Sequence, residues 1–242
     1  MGAGPGGGAG RGPAAVAGAV LVGNPGLVVV VTGTATDVGK TWVSCGLARL
    51  LAARGERVSA RKPAQSFAPG TPAEGTDAAL LAAATGEDIY AVCPPHRWYA
   101  RAMAPPMAAA SLGLPGPTLS ELVAETESSW PAGAATALVE LAGGVGSPMA
   151  ADGDGAAFVA RLQPGLVVVV APSGLGALHE VRLSVRALPA GARSLVVLNR
   201  YDPGDELHWR NRRWLEEQDG LEVLTGVEAL AEAVLAASLG SS

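Results

Sequence analysis

The sequence predicts an α/β fold: a doubly wound, mostly parallel sheet in a single domain. Short runs of Val and Leu recur along the chain without polar alternation, the pattern of parallel strands covered on both faces. Longer segments with apolar residues at helical spacing lie between them, and strands alternating with helices imply βαβ crossovers. The first valine run also ends abruptly, as VVVVTGTATDVGKT at residues 28–41, in glycines, a lysine and a hydroxyl.

Strands are expected at 27–32, 57–61, 136–141, 166–171, 194–199 and 222–225. Helices are expected at 40–53, 77–84, 120–127, 176–188, 207–218 and 227–237. Thr118 and Glu121 have the T-x-x-E spacing of a capping box, which places a helix start there. The proline-rich stretch 93–117 carries Trp98, Tyr99 and two methionines, and reads as a long ordered loop around a short helix. No internal repeat or second domain boundary is visible. The folded domain is therefore expected to run over 27–242. Residues 1–26, rich in Gly, Ala and Pro, have no periodic apolar face and are expected to form a flexible tail. One arginine, glycine interruptions and no clear cleavage signature argue against a signal peptide in that tail. No later window reaches the roughly 20 consecutive apolar residues of a membrane span.

A net charge of −5 argues against sequence-independent nucleic-acid binding, which needs a basic face. Two cysteines, Cys45 and Cys93, do not make a disulfide framework, and a reducing, cytoplasmic location is expected. Cys45 reads as a small core residue. His96, His179 and His208 are scattered, with no spacing that suits zinc.

A buried strand that turns through Gly33 and enters a helix at Gly39-Lys40-Thr41 has the layout of a P-loop. There, successive backbone N–H groups and a helix N-terminus meet phosphate charge. Gly33, Asp37, Val38 and Gly39 become candidate nucleotide-binding positions. Lys40 would reach the β- and γ-phosphates, and the Thr41 hydroxyl would ligate Mg²⁺. Five residues separate Gly33 from Gly39, where the generic motif has four. Glu140 ends an apolar strand beside Gly143 and Gly144, where an unpaired carboxylate is costly unless a cation or ligand meets it. Asp77 opens a helix, and either caps it or serves the site.

Five stretches, taken together and in order, resemble the dethiobiotin synthetase family: GTATDVGKT, RKPAQS (61–66), TDA (76–78), APPMAAA (104–110) and VELAGG (139–144). The resemblance runs from about 27 to 199. It implies a cyclo-ligase that takes 7,8-diaminopelargonate, CO₂ (or bicarbonate) and ATP, forms a carbamate, phosphorylates it and closes a cyclic urea in biotin biosynthesis. It implies catalytic roles for Lys62, Lys40 and Thr36, a Mg²⁺ shell from Thr41, Asp77 and Glu140, a purine contact for Asn199, and a hydroxyl contact from Ser66. Substrate carboxylate would be taken by the backbone of Gly176, Ala177 and Leu178 from the partner subunit of a homodimer.

The sequence departs from the family pattern at Leu141, where a bulky side chain is expected to intrude on the ligand. It departs again at His179 and Glu180, which replace an asparagine and a histidine. Another reading stays open: LNRYD at 198–202 is similar to the guanine reader of GTPases, and a P-loop switch is the alternative, as is a relative that acts on another diamine.

Overall fold

The computed structural model describes residues 1–2 and 23–239, so most of the expected tail lies outside the described residues. Residues 23–26, assigned to that tail, are pinned: Gly23 N–H donates to Trp130 O and Gly26 N–H to Ala134 O.

The chain runs β1 (Leu27–Gly33), α1 (Lys40–Ala53), β2 (Val58–Arg61), β3 (Gln65–Ser66), α2 (Asp77–Thr85), α3 (Ile89–Val92), β4 (Trp98–Tyr99), α4 (Pro105–Ser111) and α5 (Leu119–Ser128). It continues through β5 (Thr136–Glu140), β6 (Pro148–Ala150), β7 (Gly153–Asp154), α6 (Gly155–Leu162), β8 (Leu166–Pro172), α7 (Ala177–Ala187), β9 (Ser194–Asn199), α8 (Glu206–Glu217), β10 (Val223–Leu224) and α9 (Val227–Leu239). All six expected strands pair in parallel in one sheet of order β10-β9-β8-β1-β5-β2.

Alternation sorts the strand residues between two helical layers. Val29, Val31, Leu138, Val168 and Val170 pack with Leu47, Leu51, Leu230 and Val234 of α1 and α9. Val30, Ala137, Val139, Val167 and Val169 pack on the opposite face with Leu119, Leu122, Phe158 and Val159 of α5 and α6. This two-sided burial is why the strands read as continuous apolar runs. The loop 93–117 is ordered, with β4 paired to β3 and α4 inside it. The capping box forms at α5, Thr118 Oγ1 accepting from Glu121 N–H while the Glu121 carboxylate accepts from Thr118 N–H.

Strand order places the function. β1 lies between β8 and β5, so the chain leaves it toward one side for β2 and crosses back to the other side for β8. The loop after β1 therefore opens at the topological switch point, where ligands of open α/β sheets bind. The register does the rest. Val31 pairs Glu140 and Arg61 pairs Val139, so Lys62, one residue past Arg61, arrives beside Glu140 at the carboxyl ends of the strands.

Cys45 and Cys93 are buried and free. Burial, with the Glu140 charge adding to it, pushes the Cys45 thiol up to about 11. Burial pushes Cys93 up to about 12 against the opposing charge of Lys62. A raised pKa means less thiolate, so at pH 8 the native protein should react with a thiol reagent far more slowly than the unfolded chain, in which both thiols titrate. Rapid native labelling of either thiol would contradict this packing.

Candidate active site

The loop between β1 and α1 is held from several directions. Thr34 N–H donates to Val170 O, and Val145 N–H to Gly33 O. Gly39 has φ +95°, and a Cβ there would collide with Asn199 Nδ2, so the position needs glycine twice over. That amide in turn donates to Val38 O at 2.9 Å, and the Asn199 backbone carbonyl accepts from Ser173 Oγ at 2.8 Å. Asn199 therefore wedges the loop. Gly144 is also forced, since a Cβ there would lie 2.8 Å from Thr34 O.

Beyond the loop lies a cavity of about 860 Å³. Thr36, Asp37, Gly39, Lys40, Thr41, Lys62, Ser66 and Asp77 line it, so most of the residues expected from the sequence converge. Ser66 Oγ donates to Met103 O at 2.5 Å. Gly176, Ala177 and Leu178 do not line this cavity, and Asn199 opens onto a smaller one beside it.

At the floor sits a charge cluster. Lys62, 2% exposed, donates to Glu140 Oε1 at 2.8 Å and reaches Asp77 Oδ2 at 2.7 Å. Thr41 Oγ1 lies 2.8 Å from Glu140 Oε1 and 2.9 Å from Asp77 Oδ1. Burial pulls the Lys62 ammonium down, but Glu140 and Asp77 outweigh it and hold the pKa above the ordinary lysine value. For Asp77, burial pushes upward and the Lys62 charge and hydrogen bonds prevail, leaving its carboxyl below the usual range. Lys40 moves the other way: burial and then the neighbouring Lys62 charge lower it, against Glu140, Asp77 and Asp37. Its ammonium donates to Ala35 O at 3.0 Å.

Asp77 does not cap α2. Thr76 does, its hydroxyl accepting from Ala79 N–H, which leaves the Asp77 carboxylate free for Thr41 and Lys62.

The donor set suits a small hard cation. One Thr41 proton cannot serve two carboxylates at once, and Glu140 Oε2 is buried without a hydrogen-bond partner among the described residues. Spacings of 2.8–2.9 Å between Thr41 Oγ1 and its two carboxylate neighbours match the edge of an octahedron with metal–oxygen bonds of about 2.1 Å.

Leu141 corrects an expectation. It is fully buried in the core with Val30, Val139 and Met149, so it does not intrude on the ligand. The residue presented to the cavity is Ala142, because side chains alternate across the strand end.

Residues 28–234 match the family described as an AAA domain. The ATP-dependent dethiobiotin synthetase BioD of Rhodococcus jostii is 39% identical over 164 residues, covering 67% of this chain and 68% of that one. Its counterpart from Anaeromyxobacter sp. is 40% identical over 183 residues, covering 73% of this chain and 78% of the relative. The chain belongs to the dethiobiotin synthetase family. Among solved structures, the LAO/AO transport system kinase aligns with a TM-score of 0.47 at 16% identity over 91% of this chain and 62% of that one. Membership in the synthetase family displaces the reading of LNRYD as a switch-type guanine reader.

Against that family's pattern, Glu180 makes a contact of its own here. Thr34 Oγ1 donates to Glu180 Oε2 at 3.0 Å, tying the start of the loop to the first turn of α7. His179 is exposed. The sequence marks Glu180 only as a departure, because a contact 146 residues apart leaves no local signal. Glu180→Ala should loosen the loop and weaken triphosphate affinity by about threefold to tenfold, the net worth of one hydrogen bond. Glu180→Gln, which keeps an acceptor, should stay near wild type. Calorimetric titration checks both, and an unchanged affinity for Glu180→Ala would remove the tie from the site.

Proposed function

We propose that the chain converts 7,8-diaminopelargonate, CO₂ and ATP to dethiobiotin. The observation that carries the reading is the meeting, in one cavity of a dethiobiotin synthetase family member, of a phosphate-type loop with two lysines and two carboxylates. One amine adds to CO₂ and loses a proton, which gives a carbamate. A carbamate oxygen attacks the γ-phosphorus as its bond to the bridging oxygen breaks and ADP leaves. The second amine attacks the carbonyl carbon, and inorganic phosphate leaves as the ring closes. Such a sequence asks the protein for positioning and charge neutralisation rather than covalent chemistry.

The residues divide accordingly. The loop backbone and Lys40 take the phosphates, with Lys40 exchanging Ala35 O for a phosphate oxygen. Thr41, Asp77 and Glu140 are the set that would hold Mg²⁺, which when bound neutralises phosphate charge. Lys62, whose raised pKa keeps it charged at neutral pH, is placed to steady the anionic carbamate and the migrating phosphoryl group. Thr36 and Ser66 offer hydroxyls on the cavity wall. The backbone amides of Gly176, Ala177 and Leu178 are assigned to the substrate carboxylate across a homodimer, a reading supported by their absence from the lining of this chain's own cavity and by Leu175, 92% exposed, at the same turn. Light scattering that finds only monomer under assay conditions would overturn the shared site.

The deciding assay supplies ATP, Mg²⁺, bicarbonate and 7,8-diaminopelargonate and follows phosphate and dethiobiotin together. Equal amounts of the two are expected. Phosphate release that ignores the diamine would overturn the reading, and turnover with a different diamine only would move it to another substrate.

The metal assignment has a readout apart from activity. Lys62→Met leaves Glu140 buried without its cation and should cost on the order of 3–5 kcal/mol in metal-free buffer. Mg²⁺ should restore part of that loss, raising Tm of the variant more than that of the wild type. The double variant Lys62→Met with Glu140→Gln should not respond in this way. If Mg²⁺ leaves the single variant's Tm unmoved, the cluster is not a metal site.

A further inference from the structure

Among the described residues, four hydroxyl side chains line the main cavity: Thr36, Thr41, Ser66 and Ser147. Two of them have their protons committed. Thr41 Oγ1 lies between Asp77 and Glu140, and Ser66 Oγ donates to Met103 O, which leaves Ser66 able only to accept. Thr36 stands exposed on the phosphate loop. Ser147 differs from all three, and it lies beyond the stretches that carry the family resemblance.

Every other polar group of Ser147 is fixed. Its backbone N–H donates to Gly144 O at 3.0 Å, its carbonyl accepts from Gly155 N–H at 3.2 Å, and its Oγ accepts from Gly144 N–H at 2.8 Å. Gly143 has φ +72°, and a Cβ there would lie 2.5 Å from Ser147 Oγ, so the turn admits this hydroxyl only beside a glycine. Gly144 is pressed against Thr34 O and Val145 N–H donates to Gly33 O, which ties the same turn to the phosphate loop. The hydroxyl proton is what remains, and it makes no hydrogen bond among the described residues. A hydroxyl held at its oxygen, with its proton unassigned on a cavity wall, is a preorganised donor.

Resting on the reading of this cavity as the place where the carbamate forms, we propose that the Ser147 hydroxyl donates to a carbamate oxygen. Ala142 and Gly143, which line the wall beside Ser147, follow closely on Glu140, the partner of Lys62, so the turn stands at the reacting end of the cavity. The oxygens of a carbamate anion are acceptors only, and they are matched by a donor of fixed direction together with the Lys62 ammonium. Ser66, whose proton is on Met103 O, cannot play this part. Phosphate oxygens are acceptors too, and the test separates the two.

The test follows dethiobiotin formation by the full chain against bicarbonate concentration at fixed diamine and Mg·ATP, and measures Mg·ATP affinity separately by calorimetry without diamine. Ser147→Ala should raise the half-saturating bicarbonate concentration by about tenfold or more, the usual scale for one hydrogen bond to a charged acceptor, and leave Mg·ATP affinity unchanged. Ser147→Thr, which keeps the hydroxyl, should recover most of the loss. Ser147→Asp separates the proton from the lone pair: it still accepts from Gly144 N–H but has no proton to give at neutral pH, and should be at least as impaired as Ser147→Ala. An unchanged bicarbonate dependence for Ser147→Ala, an equal fall in its Mg·ATP affinity, which assigns the donor to phosphate, or a Ser147→Asp variant as active as wild type would each overturn the assignment. The two readings fail separately. A wild type that makes no dethiobiotin removes the proposed reaction and this role with it, whereas product formation indifferent to Ser147→Ala removes the donor alone.

Discussion

The buried ammonium of Lys62 governs the rest of the site. A lysine 2% exposed is tolerable only because two carboxylates lie within 2.8 Å, and those carboxylates come from separate elements: Glu140 from the end of β5, Asp77 from the first turn of α2. Sheet register and helix docking must both be right for the charge to be satisfied. A slip of β2 by one residue would turn Lys62 to the other face and leave Glu140 without it. The cluster thus works as a check on the fold as well as a floor for the cavity.

Around that floor the loop is braced by side chains from the far side of the sheet. Asn199 comes from the end of β9 and Glu180 from α7, and each reaches the loop across β8. A loop that presents backbone N–H groups to an anion works best when little ordering remains to be done on binding. Two ties from one direction, with Gly144 pressed against Thr34 O from the other, meet that requirement without a rigid secondary element in the loop itself.

Much of this was legible in the sequence, for physical reasons. All six expected strands and the helix at 40–53 form as read, because two-sided burial and helical periodicity write themselves into local composition. Of the cluster, Glu140 was legible because a carboxylate is expensive at the end of an apolar strand without a ligand, Thr41 because it follows glycine and lysine at a strand-to-helix turn, and Lys62 and Asp77 through the family resemblance. What escaped was tertiary. Helix α6 starts at Gly155 after a Gly-Asp stretch that reads as a turn, and it exists through the Asp154 cap and the burial of Phe158, Val159 and Leu162. The sense of Leu141 escaped because one residue of alternation at a strand end decides between core and cavity, and residue type does not carry that phase. Glu180 and Ser147 escaped because a half-buried side chain takes its meaning from what folds up beside it.

Charge accounting closes the argument about what the site is built to receive. In the ligand-free arrangement Lys40, Lys62 and Arg200 stand against Asp37, Asp77 and Glu140, so the site is roughly neutral and offers little net attraction to a triphosphate with about three to four negative charges. The chain as a whole is acidic, with a net charge of −5, and cannot supply the balance at long range. Added attraction has to come from freeing Lys62. A divalent cation that takes over Asp77 and Glu140 would release Lys62 from both partners at the moment the phosphates arrive, and the orphaned Glu140 Oε2 is the atom such an exchange would satisfy. On this reading the resting pairing is a stored form of the site: Lys62 holds both carboxylates together at the floor of the cavity, and it becomes available only when metal and phosphate come together.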